Sequence, residues 1–158
     1  MARKSMSGPI TPLKLYARDA DDMHIISACL QDAVGQIGDM AYLEAERRFV
    51  MLSNRYCWEN EKAPLRVRAA LQITGVTSIQ HKKLNLQRRD GIVSLLSLRF
   101  EPSDILDAPS GAISLIFAGG GEIRLEVEAC EAILEDITAP WAASSQPAHE
   151  SDKADDEA

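Results

Sequence analysis

Aromatic residues are scarce in this chain: three phenylalanines, three tyrosines and two tryptophans among 158 residues. Platforms that stack nucleic-acid bases need several aromatics interleaved with cations, and no RNA- or DNA-binding signature is present. Cysteine is scarcer still, and Cys29, Cys57 and Cys130 lie far apart. Their spacing forms no CxxC metal knuckle and no even disulfide framework, so a reducing, cytoplasmic setting is expected, with no metal and no cofactor. His24, His81 and His149 stand away from one another and from any carboxylate or thiol at ligand spacing. No hydrophobic run approaches the ~20 residues of a membrane-spanning helix. The basic segment 1–7 is not followed by the about 7 to 15 apolar residues of an export signal. The expectation is a chain that is neither exported nor inserted in a membrane, and that carries no recognisable catalytic motif.

What is present is enough apolar content, 46%, to bury an ordinary core, and an uneven distribution of charge. The net charge is −7, yet residues 44–99 hold eleven Lys or Arg against five Asp or Glu, while residues 100–139 hold nine acids and Arg124. A chain divided in this way can be acidic overall and still present a basic face. Residues 1–12 and 142–158 read as disordered ends, the latter an acidic tail, which leaves 13–141 as a single α+β domain.

Within that span, Ile25, Ile26, Cys29, Leu30 and Ala33 recur at helical spacing behind an acidic start, which predicts a helix over 19–34 ended by Gly35 and Gly38. The period then becomes two. Strands are predicted over 39–44 and 48–56, then from Leu65 to Ile73 after Pro64, from Val76 to Lys83, and from Val93 to Phe100. Ile113, Leu115 and Phe117 alternate, as do Ile123, Leu125 and Val127, with Gly119, Gly120 and Gly121 between them. That is a β-hairpin. A phosphate loop would be followed by a helix, and here a second strand follows.

Cys130, Ile133, Leu134 and Ile137 sit at i, i+3, i+4 and i+7, the stripe of a short helix that Pro140 stops. Burying four such side chains at about 1.5–3 kcal/mol each makes a docked C-terminal helix the expectation. The predicted architecture is mainly antiparallel sheet or partly open barrel, about seven strands, with an N-terminal helix and a packed C-terminal helix, the element order of a pleckstrin-homology-like barrel.

Arg47, Arg48, Arg55, Arg66 and Arg68 fall on adjacent strands and their turns, which makes them the candidate binding residues. The competing reading is that they are solubilising, edge-protecting charges. Glu126 and Glu128 pair on one strand face, as the exposed side of a strand also does. The predicted role is a non-enzymatic protein-interaction module that binds a protein partner or itself; the alternative is an anion- or nucleic-acid-binding domain that uses the same basic face.

The run Leu30, Gln31, Asp32, Ala33 and Val34, with Gly38 to Leu43, Glu46 to Phe49 and Asn54-Arg55, resembles an uncharacterised alphaproteobacterial family, the domain-of-unknown-function family numbered 2948. The likeness continues through Leu95 to Pro102 and Phe117 to Glu128. The resemblance implies no activity, so no catalytic residue is carried over from it.

Overall fold

The computed structural model describes residues 11–144 and 147. Of the ends predicted to be disordered, 1–12 and 142–158, residues 1–10 and most of the tail therefore lie outside the described residues, while Ala142 pairs with Leu65 in a short strand. Among the described residues there are eleven strands and one α-helix: β1 (Lys14–Ala17), α1 (Ala20–Cys29), β2 (Ala33–Gln36), β3 (Met40–Leu43), β4 (Arg48–Tyr56), β5 (Leu65–Thr74), β6 (Val76–Lys82), β7 (Ile92–Pro102), β8 (Gly111–Phe117), β9 (Glu122–Val127), β10 (Ala132–Asp136) and β11 (Trp141–Ala142).

Every pairing is antiparallel, and the ladder runs β1-β10-β5-β4-β2-β7-β8-β9-β6, with β3 on β4 and β11 on β5. The sheet is open, ending at β1 and β6. It must nevertheless curl strongly, because β5, third in the ladder, is joined to β6, ninth, by Gly75 alone. Gly75 takes φ +72°, a left-handed conformation that strains residues with a Cβ. The inner face of the curl holds Phe49, Met51, Leu71, Ile73, Leu95, Leu115, Leu125 and Leu134, all nearly inaccessible to water.

Helix α1 starts where its acidic residues predict, since the Asp19 carboxylate accepts from the Asp22 N–H at 2.8 Å. It is shorter than the periodicity suggests and ends at Cys29, after which Ala33, Val34 and Gly35 pair with β7. The Ser27 hydroxyl accepts the Leu98 N–H of β7 at 2.9 Å, so the helix covers backbone that the ladder leaves unpaired.

The expected C-terminal helix is overturned. Residues 132–136 are strand β10, inserted between β1 and β5, with Ala132, Leu134 and Asp136 turned inward and Ile137 49% exposed. The alternation was hidden because one of its inward positions is an aspartate, whereas the apolar residues around it happen to fit a helical period. About seven strands become eleven for the same kind of reason: β1, β2 and β11 are two to four residues long, too short to carry a pattern of their own. The strands predicted between 39 and 127 are present, and so is the glycine hairpin, in which the Phe117 N–H donates to the Gly121 carbonyl at 2.8 Å.

Candidate functional site

The five candidate arginines do not gather at one point. Arg55 faces inward on β4 and is fully buried. Its Nε and Nη2 donate to the two Asp136 oxygens at 2.8 and 2.9 Å, its Nη1 and Nη2 to the two Glu59 oxygens at 3.1 and 2.8 Å, and its Nη1 also to the Tyr56 carbonyl at 3.3 Å. All five N–H groups of the guanidinium are thereby satisfied. Between Arg55 and Asp136 runs β5, whose Ala69 stands opposite Asp136 and is small enough for the arginine to reach across. Burial alone would lower the Arg55 pKa, but the hydrogen bonds it donates to Asp136 and Glu59 outweigh it and raise it. The guanidinium is a polar plug in the inner layer, with no free N–H to offer a ligand.

The other four are on the surface and mostly paired. Arg47, in the left-handed conformation after a turn of 3₁₀ helix, meets Glu128 at 2.9 Å. Arg48 reaches Glu46 at 3.4 Å. Arg68 donates to Asp39 at 2.9 Å and to the Asn54 side chain at 3.1 Å. Arg66 donates to the Asn54 carbonyl at 2.9 Å and has no carboxylate partner among the described residues. In the β4–β5 register Arg68 stands opposite Asn54, and Arg48 starts the same strand six residues earlier, roughly 20 Å away at about 3.3 Å per residue. The outer face therefore presents Arg66 and Arg68 together, with Arg48 remote from them.

Beside Arg66 lies a group that the sequence pattern did not reveal. Tyr56 pairs with Arg66 across β4 and β5, and Trp141 pairs with Arg66 across β11 and β5, so the three form one lateral row on the outer face. The Arg66 guanidinium lies 5.9 Å from the Tyr56 ring centroid, and Trp58 meets Tyr56 edge-on at 4.7 Å. Trp58 is itself fixed by donating its indole N–H to the Gln31 carbonyl at 3.1 Å. Trp141 is 41% exposed. Next to this row, Tyr56, Trp58, Asn60, Lys62 and Pro64 border a cleft of about 420 Å³. The pair Tyr56 and Trp58 reads from the sequence as a half-buried strand face; Trp141, at the end of the expected domain, carries no periodic signal of its neighbours.

His24 and His81 are exposed on α1 and β6, and His149 lies outside the described residues. Cys29, Cys57 and Cys130 are unpaired thiols, each raised in pKa chiefly by burial, Cys130 to about 11. Among the described residues no cluster of His, Cys, Asp and Glu has the arrangement of metal ligands, and no helix is long and apolar enough to cross a membrane.

These elements define an α+β protein built on one curled antiparallel sheet, with a buried arginine plug inside and an arginine–aromatic row outside. The chain belongs to the family described as "Protein of unknown function (DUF2948)", whose profile matches residues 13–149. No curated protein and no solved structure matches it.

Proposed function

We propose that the protein is a non-enzymatic interaction module whose contact surface for a protein partner is centred on Arg66, Arg68 and Trp141. The observation that carries this reading is the outer row Tyr56, Arg66 and Trp141, in which Arg66 has Trp141 on one side and Tyr56 on the other, with Trp58 edge-on to that tyrosine. Tryptophan, tyrosine and arginine are the residues that dominate binding energy in protein interfaces. The alternative, an anion or nucleic acid on the same face, is less well supported. Arg47, Arg48 and Arg68 already hold carboxylates, which a phosphate would have to displace, and of these four surface candidates Arg66 alone has no carboxylate partner among the described residues.

The test is a photo-crosslinking amino acid at position 141, compared in intact and Arg66→Ala backgrounds in cell extract. The reading expects a discrete protein adduct that disappears in the Arg66→Ala chain. Identical adducts in both backgrounds, together with RNA or DNA binding that weakens steeply as salt rises, would replace it with the nucleic-acid reading.

A further inference from the structure

The curl of the sheet brings β3 and β6 face to face without pairing them. Across the seam, the Tyr42 hydroxyl donates to the Val76 carbonyl at 3.0 Å, and the Val76 N–H donates to the Arg47 carbonyl at 2.9 Å. Beyond those two bonds the strands part, leaving a cleft of about 350 Å³ that opens on the apolar interior. Met40, Phe49, Ile79 and Ile123 form its walls, and Leu86, from the loop between β6 and β7, lies over it. Phe49 and Ile123 belong to the core itself, so an occupant would touch side chains that water scarcely reaches.

The loop that carries Leu86 is held by backbone hydrogen bonds at the edge of the cleft, which Ile37 and Arg89 also line. The Ile37 N–H donates to the Gly91 carbonyl at 2.8 Å and the Gly38 N–H to the Arg89 carbonyl at 2.7 Å. A Cβ at Gly38 would stand 2.9 Å from that Arg89 oxygen, so the close approach depends on glycine. This anchoring sets Arg89 at the lip. Its guanidinium makes three long bonds, to the carbonyls of Leu86, Gly38 and Met40 at 3.4, 3.3 and 3.5 Å, and no ion pair with a carboxylate among the described residues. The arginine is exposed. It is a cation whose present partners are weak, fixed over an apolar cleft.

We infer that this seam binds a small amphipathic carboxylate, with its aliphatic tail between Met40, Phe49, Ile79 and Ile123 and its carboxylate on Arg89. Ligand pockets are mostly apolar with one or a few polar groups that set orientation, and this cleft lies at the small end of their range of ~300–1,000 Å³. At ~30 Å³ for each water of liquid volume, it holds the equivalent of about a dozen waters, room enough for a medium-length aliphatic chain. The guanidinium fork matches a carboxylate in two parallel hydrogen bonds, an exchange that improves on three long contacts to neutral carbonyls. The site shares no residue with the surface centred on Arg66 and Trp141, so either can be right without the other.

The experiment titrates the full chain with octanoate and with octanol, followed by the side-chain methyl signals of Ile37, Ile79 and Ile123. Octanoate is expected to shift those signals saturably and to bind roughly tenfold or more tightly than octanol, the scale of a charge-assisted hydrogen bond. Arg89→Gln should remove that preference while leaving octanol unchanged. Ala41→Trp, at an exposed position on the lip, should block both ligands without affecting thermal unfolding. No saturable shift at millimolar octanoate, or octanoate binding that survives both Arg89→Gln and Ala41→Trp, overturns the assignment.

Discussion

The Arg55 guanidinium and the Asp136 carboxylate, 81 positions apart in sequence, meet in a two-point ion pair at 2.8 and 2.9 Å with neither side chain more than 1% exposed. Asp136 also accepts the Leu13 N–H at 2.9 Å, so the pair ties β4, β10 and the segment leading into β1 to one point. The attraction alone does not make such a pair stabilising, because both ions lose their hydration. What the pair does is make the register of β10 costly to change, since a slip of one residue would turn Asp136 outward and leave Arg55 half-unpartnered.

Removing one member should therefore hurt more than removing both. Asp136→Ala is expected to cost about 3–5 kcal/mol, while Arg55→Met combined with Asp136→Leu should recover most of that loss. Urea unfolding of the three chains measures the difference. A double variant no more stable than Asp136→Ala would contradict this account.

Glu59 gives the network a pH dependence. Burial by itself would raise its pKa, but hydrogen bonds from Arg55 and the local backbone, with the charge of Arg55, lower it on balance. A folded pKa below the unfolded one, about 4.3, means stability that is complete above that value and is lost as pH falls through the folded pKa. Glu59→Gln should thus narrow the gap with the native chain below about pH 4. Because the side chain is 36% exposed, solvent screening keeps the effect small. Urea midpoints from pH 3 to 7 would show it, and parallel pH curves for the two chains would rule it out.

The strand assignment of β10 separates two substitutions that a docked helix would make equivalent. Leu134 is fully buried and Ile137 is 49% exposed. Leu134→Ala is expected to cost about 2–5 kcal/mol and Ile137→Ser to stay within about 0.5 kcal/mol. Equal losses in denaturant unfolding would restore the helix.

The thiols should be inert in the native state. Cys130, at a pKa of about 11 against an ordinary 9.0, carries about a hundredfold less thiolate than a free cysteine, and its thiol donates to the Asp19 carbonyl at 3.7 Å. Alkylation at pH 8 should reach Cys29 first, since it alone is only half-buried, and should reach Cys57 and Cys130 at the rate of structural opening. Mass spectrometry of time-quenched samples gives the order, and prompt labelling of Cys130 would be the adverse result.

Strands between positions 39 and 127 were legible because each buries one face, which writes a period of two directly into residues such as Val67, Ala69, Leu71 and Ile73. Much of the candidate site was not. Arg55 reads as one more surface cation in a basic stretch; only the fold places a buried carboxylate opposite it, so its charge is spent inside. Trp141 stands in a strand of two residues whose position depends on β5, and nothing near it in sequence announces Arg66 as its neighbour. At the seam, Arg89 lies in a polar loop, whereas Ile79 and Ile123 are ordinary strand residues.

By itself, then, the chain determined the elements that are long and one-sided, the glycine hairpin and an acidic start to the first helix, because these depend on neighbours within a few residues, and its pattern over 13–149 places it in its family. The tertiary structure alone decided that residues 132–136 are a strand, that Arg55 is a plug, and that β3 and β6 leave a seam. Those outcomes turn on contacts between residues tens of positions apart, where the energy of forming the sheet outweighs local periodicity.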